Sequence, residues 1–308
     1  MDIEGETIKD SKLREWIESI VIPPAWTDVW ISTHKNGHVL ATGRDDKGRK
    51  QYRYHPDWQK KRNEKKFEHL KEFGQCLPKL REVTDSHLRK KSISRERVLA
   101  AIVRLLEATL IRIGNEEYAQ KNDSYGLTTL TDDHANVKGG KITFDFVGKS
   151  GKEHIVTLND KRLARIVKYC QDIPGYELFQ YYDDDGTHQT IDSSDVNTYL
   201  QEITGKDFTA KVFRTWGGST LAIKYLCENC EHSDTKTASQ GCIEHVANAL
   251  GNTKAVSQNY YVHPIILEAH VNGNLSEIYG KFQLESSQSE YELTPEERTL
   301  LHLIAQTK

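Results

Sequence analysis

Leu250-Gly251-Asn252-Thr253-Lys254-Ala255-Val256-Ser257-Gln258-Asn259-Tyr260-Tyr261-Val262-His263-Pro264 is the stretch around which the chain is organised. An amphipathic helix ends at Gly251, a short polar turn follows, and a tyrosine pair runs into a segment closed by Pro264. A phenol is a weak nucleophile at neutral pH, because its free pKa is about 10. It becomes effective where cations gather around the group it attacks. Three separate stretches of the chain supply such cations.

The 308 residues suffice for two domains or one large one, with ample material for a core. No apolar run is long enough to span a bilayer, and Met1-Asp2-Ile3-Glu4 does not begin a signal peptide. Five cysteines, an odd number without an extracellular cue, point to a reducing cytosol. A net charge of −3 argues against nucleic acid until its distribution is read. Residues 35–112 hold 21 Lys/Arg against 10 Asp/Glu, a balance of +11, which leaves −14 elsewhere. Such asymmetry predicts one anion-binding face on an otherwise soluble body. Within it, residues 60–71 mix lysines with glutamates and read equally well as a solvated helix surface.

Residues up to about 78 read as a small β-containing lobe. Asp28-Val29-Trp30-Ile31-Ser32 and His38-Val39-Leu40-Ala41-Thr42 are strand candidates around the turn Lys35-Asn36-Gly37. After a second turn, Asp45-Asp46-Lys47-Gly48-Arg49, comes Lys50-Gln51-Tyr52-Arg53-Tyr54-His55, where cations and amides interleave with aromatics. That composition suits phosphate contacts and groove edges, and plain sheet packing as well. Residues 57–73 then read as a charged helix and residues 79–91 as a basic connector.

Ser94 caps a helix with Glu96 in its first turn and Val98, Ile102, Leu105 and Leu106 on one stripe. The pattern runs to Leu110-Ile111-Arg112-Ile113-Gly114, where the glycine is the expected stop. An arginine at the edge of so apolar a surface is ordinarily snorkelling or paired, and that reading of Arg112 stands beside a functional one. Asn115-Glu116-Glu117-Tyr118 restarts a helix. Lys141-Ile142-Thr143-Phe144-Asp145-Phe146-Val147 and His154-Ile155-Val156-Thr157-Leu158 alternate as a hairpin with Gly148-Lys149-Ser150-Gly151-Lys152 at its tip, where lysines commonly only solubilise. Helices are expected at residues 163–169, 194–204, 219–227 and 241–250. Thr294-Pro295-Glu296-Glu297 then begins a last helix with a capping box.

Arg112-Ile113-Gly114, Phe146-Val147-Gly148-Lys149, Lys211-Val212-Phe213-Arg214 and Gly251-Asn252-Thr253 with Tyr261 together resemble the type IB DNA topoisomerases, above all their compact bacterial and poxvirus branch. Pro23-Pro24-Ala25-Trp26-Thr27-Asp28-Val29-Trp30 and the run from Gly43-Arg44-Asp45 to His55 look like the bacterial amino-terminal clamp. The resemblance covers residues 15–270 and implies an α+β fold. A small β-containing amino-terminal lobe, residues 1–90, and a larger, mostly α-helical catalytic domain with a β-hairpin, residues 91–308, would together clamp duplex DNA.

The resemblance also assigns roles. Tyr261, not Tyr260, matches the nucleophile, which in the family stands nine residues after the position of Asn252 and, in the bacterial branch, three before a proline. Arg112 and Arg214 match the arginines on the non-bridging phosphate oxygens, and Lys149 the hairpin lysine that protonates the leaving group. Lys211 matches a further basic residue, and Gln51, Tyr52 and Tyr54 correspond to DNA-touching clamp residues. Arg53 and Tyr118 complete the expected DNA contacts. Poxvirus and nuclear members carry histidine where this chain has Asn252. An amide donates a hydrogen bond but does not change charge near neutral pH, so Asn252 is expected to bond the transition state and not to act as an acid or base.

The implied reaction exchanges one phosphodiester for a phosphotyrosyl bond, so no nucleotide is consumed. With cations supplied by side chains, no metal or other cofactor is expected, and no P-loop or carboxylate cluster argues otherwise. The expected setting is a monomer on double-stranded DNA, cytoplasmic and nucleoid-associated, with no membrane partner. A tyrosine recombinase or integrase-like strand transferase uses a similar set, but usually has histidine at the position of Lys211 and a helical amino-terminal domain. A non-enzymatic DNA-binding module accounts for the basic lobe and leaves the multi-part site unexplained. Cys227, Cys230, Cys242 and His245 form a C-x2-C-x11-C-x2-H pattern close to structural zinc spacing; the other reading is a helix end followed by chance placement on the next helix.

Overall fold

Asp10 accepts hydrogen bonds from the N–H groups of Lys12 and Leu13 and so starts α1 (Ser11–Ser19). The computed structural model describes residues 7–229, 234–287 and 289–306. After α1, β1 (Thr27–Ile31), β2 (Val39–Arg44) and β3 (Lys50–Tyr54) form an antiparallel sheet in that order. Ile20, Leu40 and Ala41 make its small core, with Trp16, Ile22 and Ile31 against them. Asp45 organises the β2–β3 turn. The Arg49 side chain and the N–H groups of Arg49 and Lys47 bond its carboxylate and hold its pKa down to about 2.

The charged helix and basic connector expected after this sheet are one helix, α2 (Pro56–Leu88), which runs through Pro78. Burial overrides the local signal. Leu70, Phe73, Leu77 and Leu80 are buried, and Phe73 meets Phe208, Phe213 and Trp216 edge-on at 5.5, 5.1 and 5.8 Å. Gly74 leaves the room that Trp216 occupies, since a Cβ there would lie 2.3 Å from its ring. The chain therefore divides into compact units of residues 1–68 and 69–308, inside α2, where the sequence had suggested a boundary near residue 90.

The larger unit is mostly helical. α3 (Arg95–Thr109) is capped by Ser94 and buries residues on almost every face, Val98 through Val103 among them. α4 (Glu116–Asn122) follows an irregular segment. β4 (Ala135–Lys138), which the sequence did not signal, joins β5 (Lys141–Gly148) and β6 (Lys152–Asn159) in an antiparallel sheet. α5 (Lys161–Gln171) leads to the short pair β7 (Gln180–Tyr182) and β8 (His188–Thr190), with the acidic turn between them. α6 (Ser193–Thr204), α7 (Lys211–Asn229), α8 (Thr235–Leu250), α9 (Lys254–Tyr260) and α10 (Pro264–Val271) then build the region of the candidate site. α11 (Leu275–Leu284) and α12 (Pro295–Gln306) close the chain. Among the described residues no helix is long and apolar enough to cross a membrane.

The carboxy-terminal tail is tied in by charge. Arg81 on α2 donates to Glu107 and Glu297 at 2.7 Å each and to the Glu292 carbonyl at 2.8 Å. Trp216 Nε1 donates to the same Glu297 carboxylate at 3.0 Å. Arg81 and Glu297 side chains are only 9% and 8% exposed, so removing one partner strands a buried charge. Arg81→Met is expected to lower unfolding stability by about 3–5 kcal/mol. Urea melts check this, and a loss below about 1 kcal/mol would show that the network is incidental.

Candidate active site

Arg214 is fixed first by where its helix begins. α7 starts at Lys211, eight residues before the expected Ser219, so Arg214 sits in its first turn with its guanidinium buried. That guanidinium donates to the main-chain carbonyls of Leu110 and, at 2.7 Å, Leu250. Leu110 ends α3 in the left-handed conformation, φ 54°, which costs a non-glycine residue about 1 kcal/mol and turns its carbonyl to Arg214. The helix thus stops at Thr109, not at Gly114 as expected. Gly114, φ 107°, instead packs against Gly126, Thr128 and Thr129.

Arg112 lies on the irregular segment between α3 and α4. The Arg112 and Ile113 carbonyls accept from the N–H groups of Leu127 at 2.8 Å and Thr128 at 2.7 Å. Its guanidinium donates to Asn252 Oδ1. Asn252 Nδ2 is buried and has no hydrogen-bond partner among the described residues, so the site presents an unused donor beside two guanidiniums.

Gly251 ends α8 in the left-handed conformation, φ 60°, and Thr253 caps α9. Tyr261 follows at the end of α9, held by its N–H to the Ser257 carbonyl at 2.9 Å and by Ser219 Oγ donating to its carbonyl at 3.1 Å. Gly218 permits that approach, since a Cβ there would lie 2.9 Å from the Tyr261 carbonyl oxygen. The Arg214 guanidinium stands 5.2 Å from the centroid of the Tyr261 ring. Tyr260 is 41% exposed.

Among the described residues, neither Arg112 nor Arg214 has a carboxylate within ion-pair distance. Burial, then the neighbouring Arg112, pushes the Arg214 pKa down to about 10, with Tyr261 opposing. Burial also lowers that of Arg112. Both remain charged near neutral pH, and two unneutralised, largely buried guanidiniums suit an anion.

Lys149 occupies the exposed hairpin tip, where Ser150 and Gly151 both have positive φ, 68° and 71°. No hydrogen bond or ion pair joins it to Tyr261 or the arginines among the described residues. Lys152, unremarked in the sequence, does reach the site: its Nζ donates to the Asn252 carbonyl at 3.1 Å. His154, also missed, stacks on Phe146 with centroids 5.1 Å apart and lies against Gly251. Burial, then Arg112, Arg214 and Lys152, lowers its pKa. Lys211 and Tyr118 are exposed on the first turns of α7 and α4.

In the smaller unit, Tyr52 and Tyr54 share one face of β3 with rings 5.8 Å apart. Lys50 lies 5.7 Å from the Tyr52 ring and Arg62 5.9 Å from the Tyr54 ring. Gln51 donates to Asp45 at 2.9 Å, and Arg53 donates to the Val21 carbonyl. Of the zinc pattern, Cys230 lies outside the described residues. Cys242 donates to the Ala222 carbonyl and His245 stacks on Tyr225 at 5.0 Å.

Burial also lowers the pKa of His87, His134 and His270. With His154 this makes four histidines that bind protons less readily folded than unfolded. Below the ordinary value of about 6.5 the unfolded chain takes up protons first, so stability rises with pH there. The urea midpoint should therefore fall as pH is lowered from about 7.5 to 5.5. A flat or rising midpoint would contradict the burial of these rings.

Two family models cover the chain: the catalytic core of eukaryotic DNA topoisomerase I matches residues 55–276, and the amino-terminal domain of bacterial DNA topoisomerase IB matches residues 1–45. DNA topoisomerase 1B of Acanthamoeba polyphaga mimivirus is 33% identical over 87% of this chain and 82% of its own. DNA topoisomerase 1B of Vaccinia virus, strain Copenhagen, is 23% identical over 88% and 86%. A solved XerH site-specific recombinase on its difH substrate aligns with TM-score 0.40 and 16% identity, over 64% of this chain and 50% of that one. The chain belongs to the type IB DNA topoisomerases. It is a DNA-acting enzyme of that class, and the recombinase and simple binding-module readings fall away.

Proposed function

We propose that Tyr261 attacks a backbone phosphodiester of duplex DNA, forming a 3′-phosphotyrosyl bond as the bond to the 5′-oxygen breaks. The observation that carries this reading is the Tyr261 ring beside Arg214, with Arg112 and the unused Asn252 amide next to it. The two guanidiniums stabilise charge on the non-bridging oxygens, and Asn252 Nδ2 donates to the same group. Lys149 gives a proton to the departing 5′-oxygen, and the 5′-hydroxyl end is then free to swivel. Reversal reseals the strand. The bond energy is kept in the phosphotyrosine, and the cations come from side chains, so neither nucleotide nor metal is required.

The aromatic and cationic strip on β3, with Gln51, Arg53, Tyr118 and Lys211, holds the duplex as a clamp. The amino-terminal unit, residues 1–68, would form the clamp domain and residues 69–308 the catalytic domain, acting as a monomer in the cytoplasm on nucleoid DNA, with no membrane partner. Relaxation of supercoiled plasmid in EDTA without ATP, with denaturant trapping protein on the 3′ end of a nick, tests the reading. Dependence on ATP, or a 5′-linked adduct, would overturn it.

A further inference from the structure

We propose that His154 is a positioning residue, a wedge that sets the hairpin lysine and the Asn252 turn against each other. The inference rests on the roles given above to Lys149 and Asn252. His154 pairs across the hairpin with Phe146, and their rings stack nearly parallel, at 11°. The imidazole meets two main-chain segments through its edge atoms, Cδ2 for one and Cε1 for the other. On one side is Gly148, immediately before Lys149, where a Cβ would lie 2.6 Å from His154 Cδ2. On the other is Gly251, immediately before Asn252, where a Cβ would lie 2.3 Å from His154 Cε1. Each contact is possible only because the residue has no side chain.

The two glycines differ in a useful way. Gly251 has φ 60° and would favour glycine in any case. Gly148 has φ −97°, an ordinary conformation, and the first atoms its Cβ would meet belong to His154. Its lack of a side chain is therefore accounted for by the ring. Lys152 spans the same gap from two residues away, through its bond to the Asn252 carbonyl. The ring is neutral near neutral pH, in keeping with a packing role beside Arg112, Arg214 and Lys152, which are already unneutralised.

Single-turnover cleavage of a duplex oligonucleotide, followed as covalent adduct, tests the wedge, with DNA affinity and melting temperature measured alongside. His154→Ala should slow cleavage about 10²-fold, the scale of a misplaced reacting group, while DNA affinity is unchanged. In a Lys149→Ala background the same change should cost clearly less than it does alone, because one of the two groups it positions is gone. Gly148→Ala should slow cleavage by displacing the ring, and Gly148→Ala combined with His154→Ala should be no slower than His154→Ala alone. If His154→Ala fails to fold, His154→Gln and Gly148→Ala carry the same comparison with Lys149→Ala. Wild-type cleavage by the folded His154 variant, or losses that multiply with Lys149→Ala, would overturn the wedge while the site assignment stands. Normal cleavage by Lys149→Ala or Tyr261→Phe would overturn both.

Discussion

Tyr261→Phe is expected to abolish plasmid relaxation and the covalent protein–DNA adduct while leaving DNA binding nearly intact. The substitution removes one oxygen and keeps the ring that packs 5.2 Å from the Arg214 guanidinium. The main-chain anchors to Ser257 and Ser219 do not involve the hydroxyl, so the local fold should persist. Without the oxygen no bond to phosphorus can form, and no neighbour can substitute in place. Tyr260 is adjacent in sequence, but successive helical residues point about 100° apart, and it ends α9 with 41% of its surface exposed. Tyr260→Phe should therefore retain substantial activity. Adduct formation on a duplex 5′-labelled on the cleaved strand, run for both variants, decides between them. A live Tyr261→Phe with a dead Tyr260→Phe would move the nucleophile by one residue and undo the register of the site.

What the sequence made legible was whatever local chemistry encodes. The β2–β3 turn follows from Asp45 and Gly48, the start of α3 from Ser94, and the end of α8 from Gly251. Arg112, Arg214, Asn252 and Tyr261, spread over 150 residues of chain, do converge. The misreadings have a common cause in tertiary burial. Pro78 and the surrounding charges suggested a break in α2, but Phe73 and Leu77 are held by a core that no local window shows. Leu110, an ordinary helix former, terminates α3 because its carbonyl is bonded by Arg214, more than 100 residues away. Lys152 and His154 read as routine hairpin residues, and nothing within the hairpin points to Asn252 or Gly251. The glycines at 148 and 251 were the available signal, since each leaves space that only the folded chain fills.

Lys149→Ala is expected to slow cleavage by about 10²–10⁴-fold, the usual contribution of a positioned general acid. The departing 5′-alkoxide is strongly basic and must be protonated as it leaves. If the bridging oxygen is replaced by sulfur, the leaving group is a thiolate, which is stable near pH 8.5 and needs little help. Cleavage by Lys149→Ala should then recover most of its rate on the sulfur substrate. Arg214→Ala should recover much less, for two reasons. Its partners are the non-bridging oxygens, which sulfur in the bridge leaves unchanged, and its loss also leaves the carbonyls of Leu110 and Leu250 without their donor. Arg112 is the intermediate case, since a guanidinium near the bridging position can assist proton transfer. The exposed place of Lys149 at the hairpin tip, without an ion-pair partner among the described residues, leaves its ammonium free to swing toward bound DNA. Failure of sulfur to rescue Lys149→Ala would make that lysine a phosphate-holding group. The acid would then be sought first at Lys152, whose ammonium already lies 3.1 Å from the Asn252 carbonyl, and next at Lys211 and Arg112.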